Sequence, residues 1–417
     1  MAGVRTTHTD SLIFYGNTNP QALIERFGSP LYVYNENILR ARCRELLSLS
    51  QHPRFRVYYS AKANSNISLL RIILQEGLCA DAMSPGELHT QLAAGFAPEN
   101  LLYVCNNISG EEMDRVVAAG VLLSLDSLSQ VECFGRRHQG REVMVRINPG
   151  IGAGHHEKVI TAGKATKFGV LPEDFPMLRD LLAKYSLRLA GLNQHIGSLF
   201  MQPEHYLAAA SQLLDAATFF PGIRIIDFGG GFGIPYDKYA GEQRLDMAEL
   251  GGRLDALLHA WSLTNAYEGA FYIEPGRYAV AESGVLLGSV LAVKENSGIR
   301  YVGTDMGCNV LIRPMLYDAF HDVEIYRQGA GPEQDSLQQT IVGNICESGD
   351  MLTDKRMLPP MREGDYIALL DAGAYGYSMG SNYTLRLRPA EVLIDATGEP
   401  RLIRRRQTAD DLLALFP

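Results

Sequence analysis

The sequence predicts an α/β fold, in which a TIM-like (β/α)8 barrel is followed by a C-terminal antiparallel β domain. Between about residues 30 and 280, short β-rich runs alternate with helical patterns, which is typical of a parallel sheet. Eight such runs occur there, and eight parallel strands close into a barrel of ~250 residues. After about residue 280, β-rich runs follow one another with few helical patterns between them, which favours antiparallel pairing.

Each predicted barrel strand is a short β-rich run. The eight runs are 56–62, 78–83, 101–105, 121–127, 142–149, 189–197, 223–230 and 270–276. An open, doubly wound sheet is the alternative arrangement for the same pattern. The β domain is predicted from the runs 284–293, 300–307, 321–327, 338–347, 365–375 and 388–396. The predicted domains are therefore a cofactor-binding barrel at 30–280 and a β domain formed by 1–29 and 281–417.

The composition excludes several classes of protein. The 417 residues carry a formal net charge of −9, and residues 401–406 form the only basic run, so we expect no nucleic-acid partner. No apolar run reaches the ~20 residues that cross a bilayer, and the N-terminus lacks the apolar core of a signal peptide. The six cysteines form no CxxC pair, and His155 and His156 are adjacent, so neither a disulfide framework nor a metal site is expected. These patterns predict a cytoplasmic protein.

Polar and glycine residues collect where the predicted barrel strands end. In barrels of this type, active sites form at the carboxyl ends of the strands. The residues at these ends are Lys62, Asp81, Arg146, Asn148, His195, Gly197, Ser198, Gly229, Gly230, Gly231, Glu274, Gly276 and Arg277. Packing alone does not explain such a collection, so the sequence predicts a site at this end of the barrel.

The triple glycine of DFGGGFGIPY (227–236) directly follows the seventh predicted strand. Glycine lets backbone N–H groups approach an anion closely, and barrel enzymes often bind phosphate after strands 7 and 8. Taken alone, three glycines are equally well explained by a tight turn. The spacing does not match the GxGxxG of a dinucleotide-binding fold, and the position after strand 7 favours phosphate.

Lys62, Glu274 and His195 supply the other groups of a cofactor site. A lysine at a barrel mouth is partly desolvated, which favours the neutral amine needed for a Schiff base. A carboxylate can bind a protonated pyridine nitrogen, and an imidazole can stack on a flat ring. Each residue has an ordinary alternative: a lysine with a buried stem, an acid paired with Arg277, or a core histidine. Together with a phosphate loop, however, they predict pyridoxal 5'-phosphate.

Three segments of the predicted β domain contain reactive or polar residues to which composition assigns no role. They are IRPMLYDAFH (312–321) with Arg313 and Tyr317, ICESGD (345–350) with Cys346 and Glu347, and GAYGYSMGSNY (373–383) with Tyr375. For a lone cysteine such as Cys346, a buried structural role is the commonest alternative.

The ordered series of motifs resembles that of the alanine-racemase-like, fold type III pyridoxal-phosphate decarboxylases. It runs through YYSAKANSN (58–66), HIGS (195–198), DFGGGFGIPY (227–236), EPGRY (274–278), IRPMLY (312–317), CESGD (346–350), GAYGYSMGSNY (373–383) and RPAEVLI (388–394). The series covers nearly the whole chain. Glu347, directly after the cysteine, resembles the diaminopimelate decarboxylases and differs from the aspartate of eukaryotic ornithine decarboxylases.

The resemblance implies a role for each candidate residue. Lys62 carries the Schiff base, His195 stacks on the cofactor ring, and Glu274 holds the pyridine nitrogen. The remaining cofactor-binding residues are Asp81, Ser198, Gly229, Gly230, Gly231, Gly276, Arg277 and Tyr375. The substrate-binding residues are Arg277, Arg313, Tyr317, Glu347 and Tyr375, and Cys346 donates the catalytic proton. Cys346 and Glu347 come from the other subunit of a homodimer with shared active sites.

The implied activity is decarboxylation of meso-2,6-diaminopimelate to L-lysine. A decarboxylase of another amino acid, or of a citryl-diamino-acid intermediate in siderophore synthesis, is the alternative. Positions that depart from the usual family pattern leave this alternative open: Cys308, Asn344, Thr384, Leu385 and Leu387. A racemase is disfavoured by CESGD, and a non-catalytic relative by the presence of both Lys62 and Cys346.

Overall fold

The structure is a computed structural model that describes residues 2–148, 167–329 and 335–417. His155, His156 and the last residue of the predicted run 142–149 lie outside the described residues. The chain divides into two compact units. The barrel unit comprises Ala41–Ile234 and Arg244–Ala279, and the β unit comprises Met1–Arg40, Pro235–Gln243 and Val280–Pro417.

Strands and helices are numbered in chain order. The strands are β1 (Ala2–Arg5), β2 (Leu31–Asn35), β3 (Phe55–Ser60), β4 (Cys79–Ala82), β5 (Leu101–Val104), β6 (Leu122–Leu125), β7 (Glu142–Arg146), β8 (Arg188–Asn193), β9 (Ile225–Asp227), β10 (Ala270–Ile273), β11 (Gly284–Asn296), β12 (Ile299–Thr304), β13 (Val323–Arg327), β14 (Leu337–Val342), β15 (Met351–Leu358), β16 (Tyr366–Leu369), β17 (Ala390–Ile394) and β18 (Pro400–Arg404). The helices are α1 (Thr7–Ser11), α2 (Pro20–Phe27), α3 (Glu36–Leu47), α4 (Ile67–Gln75), α5 (Pro85–Ala94), α6 (Gly110–Ala118), α7 (Leu128–Arg137), α8 (Phe175–Lys184), α9 (Pro203–Ala217), α10 (Met247–Asn265), α11 (Arg277–Val280), α12 (Arg313–Tyr317) and α13 (Ala409–Leu413).

The barrel unit contains a closed barrel of eight parallel strands, which confirms the predicted fold class. Strands β3 to β10 pair in sequence order, and β10 returns to pair with β3. Each of the eight strands lies within or next to one of the eight predicted runs. The alternative of an open, doubly wound sheet is therefore wrong.

Helices follow the barrel strands because capping residues stand just beyond the strand ends. Ser84, Ser109 and Ser127 precede α5, α6 and α7, and each hydroxyl oxygen accepts the N–H three residues further on, at 3.2, 3.2 and 3.3 Å. Gly95 ends α5 with a φ of +110°, which other residues rarely adopt. These local signals produce the alternation of strand and helix that closes the barrel.

The barrel interior contains an apolar ring with one residue from each strand. Its members are Tyr58, Cys79, Leu102, Leu122, Met144, Ala190, Ile225 and Tyr272. Successive side chains of a strand point to opposite faces, so the residues two positions later return to the interior. The ring therefore determines which later residues line the carboxyl end of the barrel.

The β unit contains a mostly antiparallel sheet, as predicted. Its main path is β1-β13-β16-β11-β12-β14-β15, while β2 pairs with β11 and β17, and β18 pairs with β17. Two pairings are parallel, β12 with β14 and β2 with β17. Strand β15 was not predicted, because the run TDKR at 353–356 is polar and Lys355 has a φ of +45°.

Residues 30–40 and 235–243 belong to the β unit, whereas the predicted boundaries include both segments in the barrel domain. The first segment belongs to the β unit because it contains β2, which pairs with β11 and β17 of that unit. The exact domain boundaries stay a prediction. Over the described ranges, no helix is both long and apolar enough to span a membrane.

Candidate active site

A polar layer lies immediately above the apolar ring at the carboxyl ends of the barrel strands. Its members, each two residues after a residue of the ring, are Ser60, Asp81, Ser124, Arg146, Asp227 and Glu274. Asn193 joins the layer, since its Oδ1 accepts the Ser124 hydroxyl at 2.7 Å. Buried polar side chains require partners or ligands, so this layer marks the candidate site.

Lys62 lies in a short 3-10 turn, Ala61–Ala63, directly after β3. Ala61 and Ala63 are fully buried on either side, while Lys62 is half-buried. The Tyr59 hydroxyl donates to the carbonyl oxygen of Asn64 at 2.9 Å, which ties the turn to the strand. The lysine is thus presented at the strand end by a rigid segment.

Three buried acids belong to the same layer as this turn. The Ser60 hydroxyl lies 2.5 Å from Oδ2 of Asp81. Burial, and then the charge of Glu274, raises the pKa of Asp81 well above its ordinary value, while Lys62 and Ser60 lower it. A buried acid near other acids is held in its neutral form unless a cation compensates it.

Asp227 and Glu274 are buried acids, and each shifts the pKa of the other. Burial, and then the charge of Asp227, raises the pKa of Glu274 well above its ordinary value. Burial raises the pKa of Asp227 to about 7, although the Gly229 N–H, donated to Oδ1 at 2.9 Å, lowers it. Oε1 of Glu274 and Oδ2 of Asp227 are buried and have no hydrogen-bond partner among the described residues.

This pair predicts a specific dependence of stability on pH. Asp227 is protonated in the folded state up to about pH 7 and ionised in the unfolded state above its ordinary pKa of 3.8, so its contribution to stability is lost as the pH rises through that range. As the pH rises from about 5 to about 8, we expect the melting temperature of cofactor-free Asp227→Asn protein to fall less than that of the wild type. The exposed Asp180→Asn variant is the control. Equal pH dependence in Asp227→Asn and wild-type protein would contradict the prediction.

His195 presents a flat, neutral ring to the same layer. The Gly230 N–H donates to Nδ1 of His195 at 3.2 Å. Burial, followed by the charges of Lys62 and Arg146, holds the pKa of His195 well below its ordinary value. An uncharged imidazole that already accepts at Nδ1 is suited to stacking on an aromatic ring.

The triple glycine after β9 approaches neighbouring backbone too closely for any side chain. A Cβ at Gly229 would lie 2.1 Å from the carbonyl oxygen of Gln194, and one at Gly230 would lie 2.1 Å from that of Glu274. The N–H groups of Gly229 and Gly230 donate to Asp227 and His195. The glycine turn therefore positions the acid and the imidazole.

Two further predicted residues complete this end of the barrel. Arg277, which begins α11, donates to the Ser198 hydroxyl at 2.9 Å. A Cβ at Gly276 would lie 3.0 Å from Cβ of Ser60 and 3.1 Å from that of Ala63, so this turn contacts the Lys62 turn. An arginine and a hydroxyl beside a glycine turn are suited to binding a phosphate.

The barrel residues fit pyridoxal 5'-phosphate. The structure supplies an amine, a buried acid oxygen for a ring nitrogen, a neutral flat ring and phosphate-binding groups. The donor set does not resemble a metal centre: within the described part of the chain, no three His, Cys, Asp or Glu side chains gather as metal ligands do.

The predicted residues of the β unit lie in three places. Arg313 begins α12 and is only 2% exposed, and Tyr317 ends the same helix. Tyr375 is half-buried and has a φ of +57°. Cys346 and Glu347 lie in the turn between β14 and β15.

The turn around Cys346 is held by hydrogen bonds within it and to neighbouring segments. Oδ1 and Oδ2 of Asp350 accept the N–H groups of Cys308 and Ile345, at 2.6 and 2.8 Å. Glu347 accepts a hydrogen bond from the Tyr383 hydroxyl. Cys346 is exposed, whereas the other five cysteines are buried or half-buried, so the alternative of a buried structural cysteine is wrong.

Sequence reasoning missed Asp227 and assigned no role to Arg146. Asp227 is the first residue of DFGGG, and an acid that ends a fully buried strand is a signal that could have identified it. Arg146 stands at the end of β7, where its charge acts on both Glu274 and His195.

Comparisons with known proteins place the chain in a family. Residues 37–281 match the model of the pyridoxal binding domain of pyridoxal-dependent decarboxylases. The diaminopimelate decarboxylase of Methanothermobacter thermautotrophicus is 37% identical, covering 96% of this chain and 94% of that protein. The diaminopimelate decarboxylase of Escherichia coli K12 is 34% identical, covering 93% of this chain and 94% of that protein.

A solved structure agrees with these sequence matches. The crystal structure of diaminopimelate decarboxylase from Helicobacter pylori complexed with L-lysine has a TM-score of 0.86 at 28% identity, and the match covers 95% of this chain and 99% of that one. The chain therefore belongs to the pyridoxal-phosphate-dependent decarboxylases and, within them, to the diaminopimelate decarboxylase family of carboxy-lyases.

Proposed function

We propose that the protein decarboxylates meso-2,6-diaminopimelate to L-lysine, with pyridoxal 5'-phosphate bound through Lys62. The observation that carries the proposal is the polar layer, in which the lysine turn, the Asp227–Glu274 pair and the His195 ring share one end of the barrel. The names of the similar proteins support the same substrate. We further propose that the enzyme acts in the cytoplasm.

Each residue of the barrel unit has a defined task in this proposal. When bound, the cofactor supplies a protonated ring that accepts the electron pair left by carbon dioxide. Glu274 binds the ring nitrogen, and Asp227 keeps a proton available at that position. Asp81 and Ser60 hold the lysine turn through their hydrogen bond. The residues of this unit that are assigned to the phosphate are Ser198, Gly231, Gly276 and Arg277, and Tyr375 of the β unit is assigned to it as well.

The residues of the β unit act on the substrate. Arg313 and Tyr317, with Arg277, bind the carboxylate that is retained in the product, because a buried guanidinium binds carboxylate strongly. Cys346 donates a proton to the carbon that has lost carbon dioxide, and Glu347 binds the far amino group. We propose that Cys346 and Glu347 serve the partner subunit of a homodimer, and the exposure of Cys346 supports this.

A substrate panel tests the proposed function. Carbon dioxide release is measured with meso-diaminopimelate, ornithine, arginine, lysine and a citryl-diamino acid, and the product is identified by mass spectrometry. We expect release from meso-diaminopimelate alone, with L-lysine as product. Faster release from any other member of the panel would contradict the assigned substrate and leave the decarboxylase family membership intact.

A further inference from the structure

A fully buried histidine, His321, lies directly behind Arg313 in the β unit. Arg313 is 2% exposed and His321 is not exposed at all. Nη1 of Arg313 lies 2.8 Å from Nε2 of His321. On the other side of the ring, Nδ1 lies 2.7 Å from the carbonyl oxygen of Leu370, just after β16.

The two contacts together determine where the imidazole carries its proton. A carbonyl oxygen can only accept, so Nδ1 must be the donor towards Leu370. An arginine can only donate, so Nε2 must offer its lone pair to Arg313. His321 is therefore a neutral ring protonated at Nδ1, since a proton at Nε2 would place two donors face to face.

The surroundings restrict both side chains further. The guanidinium carbon of Arg313 lies 4.8 Å from the centre of the Tyr236 ring, which also contacts His321 edge-on at 5.5 Å between centroids. The carbonyl oxygen of His321 accepts from Nη1 of Arg356 at 3.1 Å. The imidazole, its backbone and the plane of the guanidinium are thus all held in place.

Because His321 is a neutral acceptor, its effect on Arg313 differs from that of a carboxylate. A carboxylate behind Arg313 would neutralise its charge and compete with an incoming carboxylate. A neutral imidazole orients the guanidinium without itself neutralising the positive charge, which favours charge-assisted binding of a carboxylate. Orientation without neutralisation is the property that a pre-formed carboxylate site requires.

We propose that His321 is a positioning residue, which holds Arg313 in the orientation that binds the carboxylate retained in the product. This inference rests on the role given to Arg313 in the proposed function. His321 acts through Arg313 and contacts no reacting atom. Its contribution lies in substrate affinity, and it should change KM far more than kcat.

Two substitutions separate the two hydrogen bonds of the ring. In His321→Asn the amide nitrogen replaces Nδ1 as a donor to Leu370, and the acceptor for Arg313 is lost. In His321→Gln the amide oxygen replaces Nε2 as the acceptor, and the donor to Leu370 is lost. Both variants are measured as cofactor-loaded enzymes, by kcat and KM for meso-diaminopimelate and by calorimetric titration with L-lysine and cadaverine, which lacks the carboxylate.

We expect His321→Asn to weaken L-lysine binding and raise KM by about tenfold, the size expected for one lost hydrogen bond to a charged group. Cadaverine binding and kcat should stay within about threefold of the wild type, and His321→Gln should recover most of the affinity for L-lysine. If both variants lose affinity equally and melt earlier, His321 has only a structural role and the inference is wrong.

The same titrations distinguish failure of this inference from failure of the proposed function. If the wild-type enzyme binds L-lysine no better than cadaverine, Arg313 does not bind the carboxylate, and both that part of the proposed function and this inference are wrong. A wild-type enzyme that prefers L-lysine, with the preference unchanged in His321→Asn, would overturn the role of His321 alone. If His321→Asn does not fold, a large loss of L-lysine affinity in folded His321→Gln still contradicts the proposal.

Discussion

Replacing Lys62 with alanine is expected to abolish decarboxylation and to remove the visible absorption of the bound cofactor. The amine is the group that forms a covalent bond to pyridoxal phosphate, and no other side chain of the short turn Ala61–Ala63 can replace it. We expect kcat to fall by about three orders of magnitude or more, as when a covalent catalytic group is removed. Absorption spectra of the purified protein and carbon dioxide release measure the two effects independently.

The matched control is Lys184→Ala. Lys184 is an exposed lysine at the end of α8 in the same unit, and its partner Glu132 is also at the surface, so its removal should leave spectrum and rate unchanged. Circular dichroism shows whether both variants are folded. A Lys62→Ala protein that still turns over substrate and retains its absorption band would reject the proposed chemistry.

Replacing Cys346 with alanine is expected to lower kcat by about 10²- to 10⁴-fold, the range for removing a general acid. The cofactor spectrum should be retained, because Cys346 has no role in holding the cofactor. Cys133→Ala is the control, since this half-buried thiol lies on α7 of the barrel unit. The assignment of Cys346 as proton donor would be contradicted if Cys346→Ala lost the cofactor spectrum or kept full activity.

A mixture of the two inactive variants tests whether active sites are shared between subunits. If Cys346 serves the partner's Lys62, a hybrid dimer of Lys62→Ala and Cys346→Ala subunits contains one intact site. Random reassortment should then restore up to about a quarter of the wild-type activity. Absence of recovery, with hybrid dimers shown by mass spectrometry, would mean that each chain uses its own cysteine.

The barrel could be predicted because its information is local. Each strand is a short buried run, and capping residues such as Ser84 and Ser109 start the next helix within a few positions. The polar residues at the strand ends could be recognised for the same reason. The alternation of strands and helices, the capping and turn residues, and the position of Lys62 at a strand end can all be seen within short stretches of sequence.

The partnerships of the site could not be predicted, because they join distant elements. Asp227 ends β9 and Glu274 follows β10, and only the parallel pairing of these two strands, which a long helix separates in sequence, brings their carboxyl groups together. His321 lies in the segment 312–321, but its partner Leu370 follows β16, 49 residues further along the chain. A residue whose role is to orient another has no pattern in sequence that separates it from an ordinary core residue.

The pairing of β2 also has a consequence for how the chain is made. Its central residue, Val33, pairs with Val285 on β11 and with Val392 on β17. During synthesis this strand leaves the ribosome before the barrel, yet its second partner emerges only near the end of the chain. A buried apolar strand that lacks its neighbours is exposed to misassociation. Completion of the β unit is therefore timed by the last strands to be translated, long after all barrel strands are available.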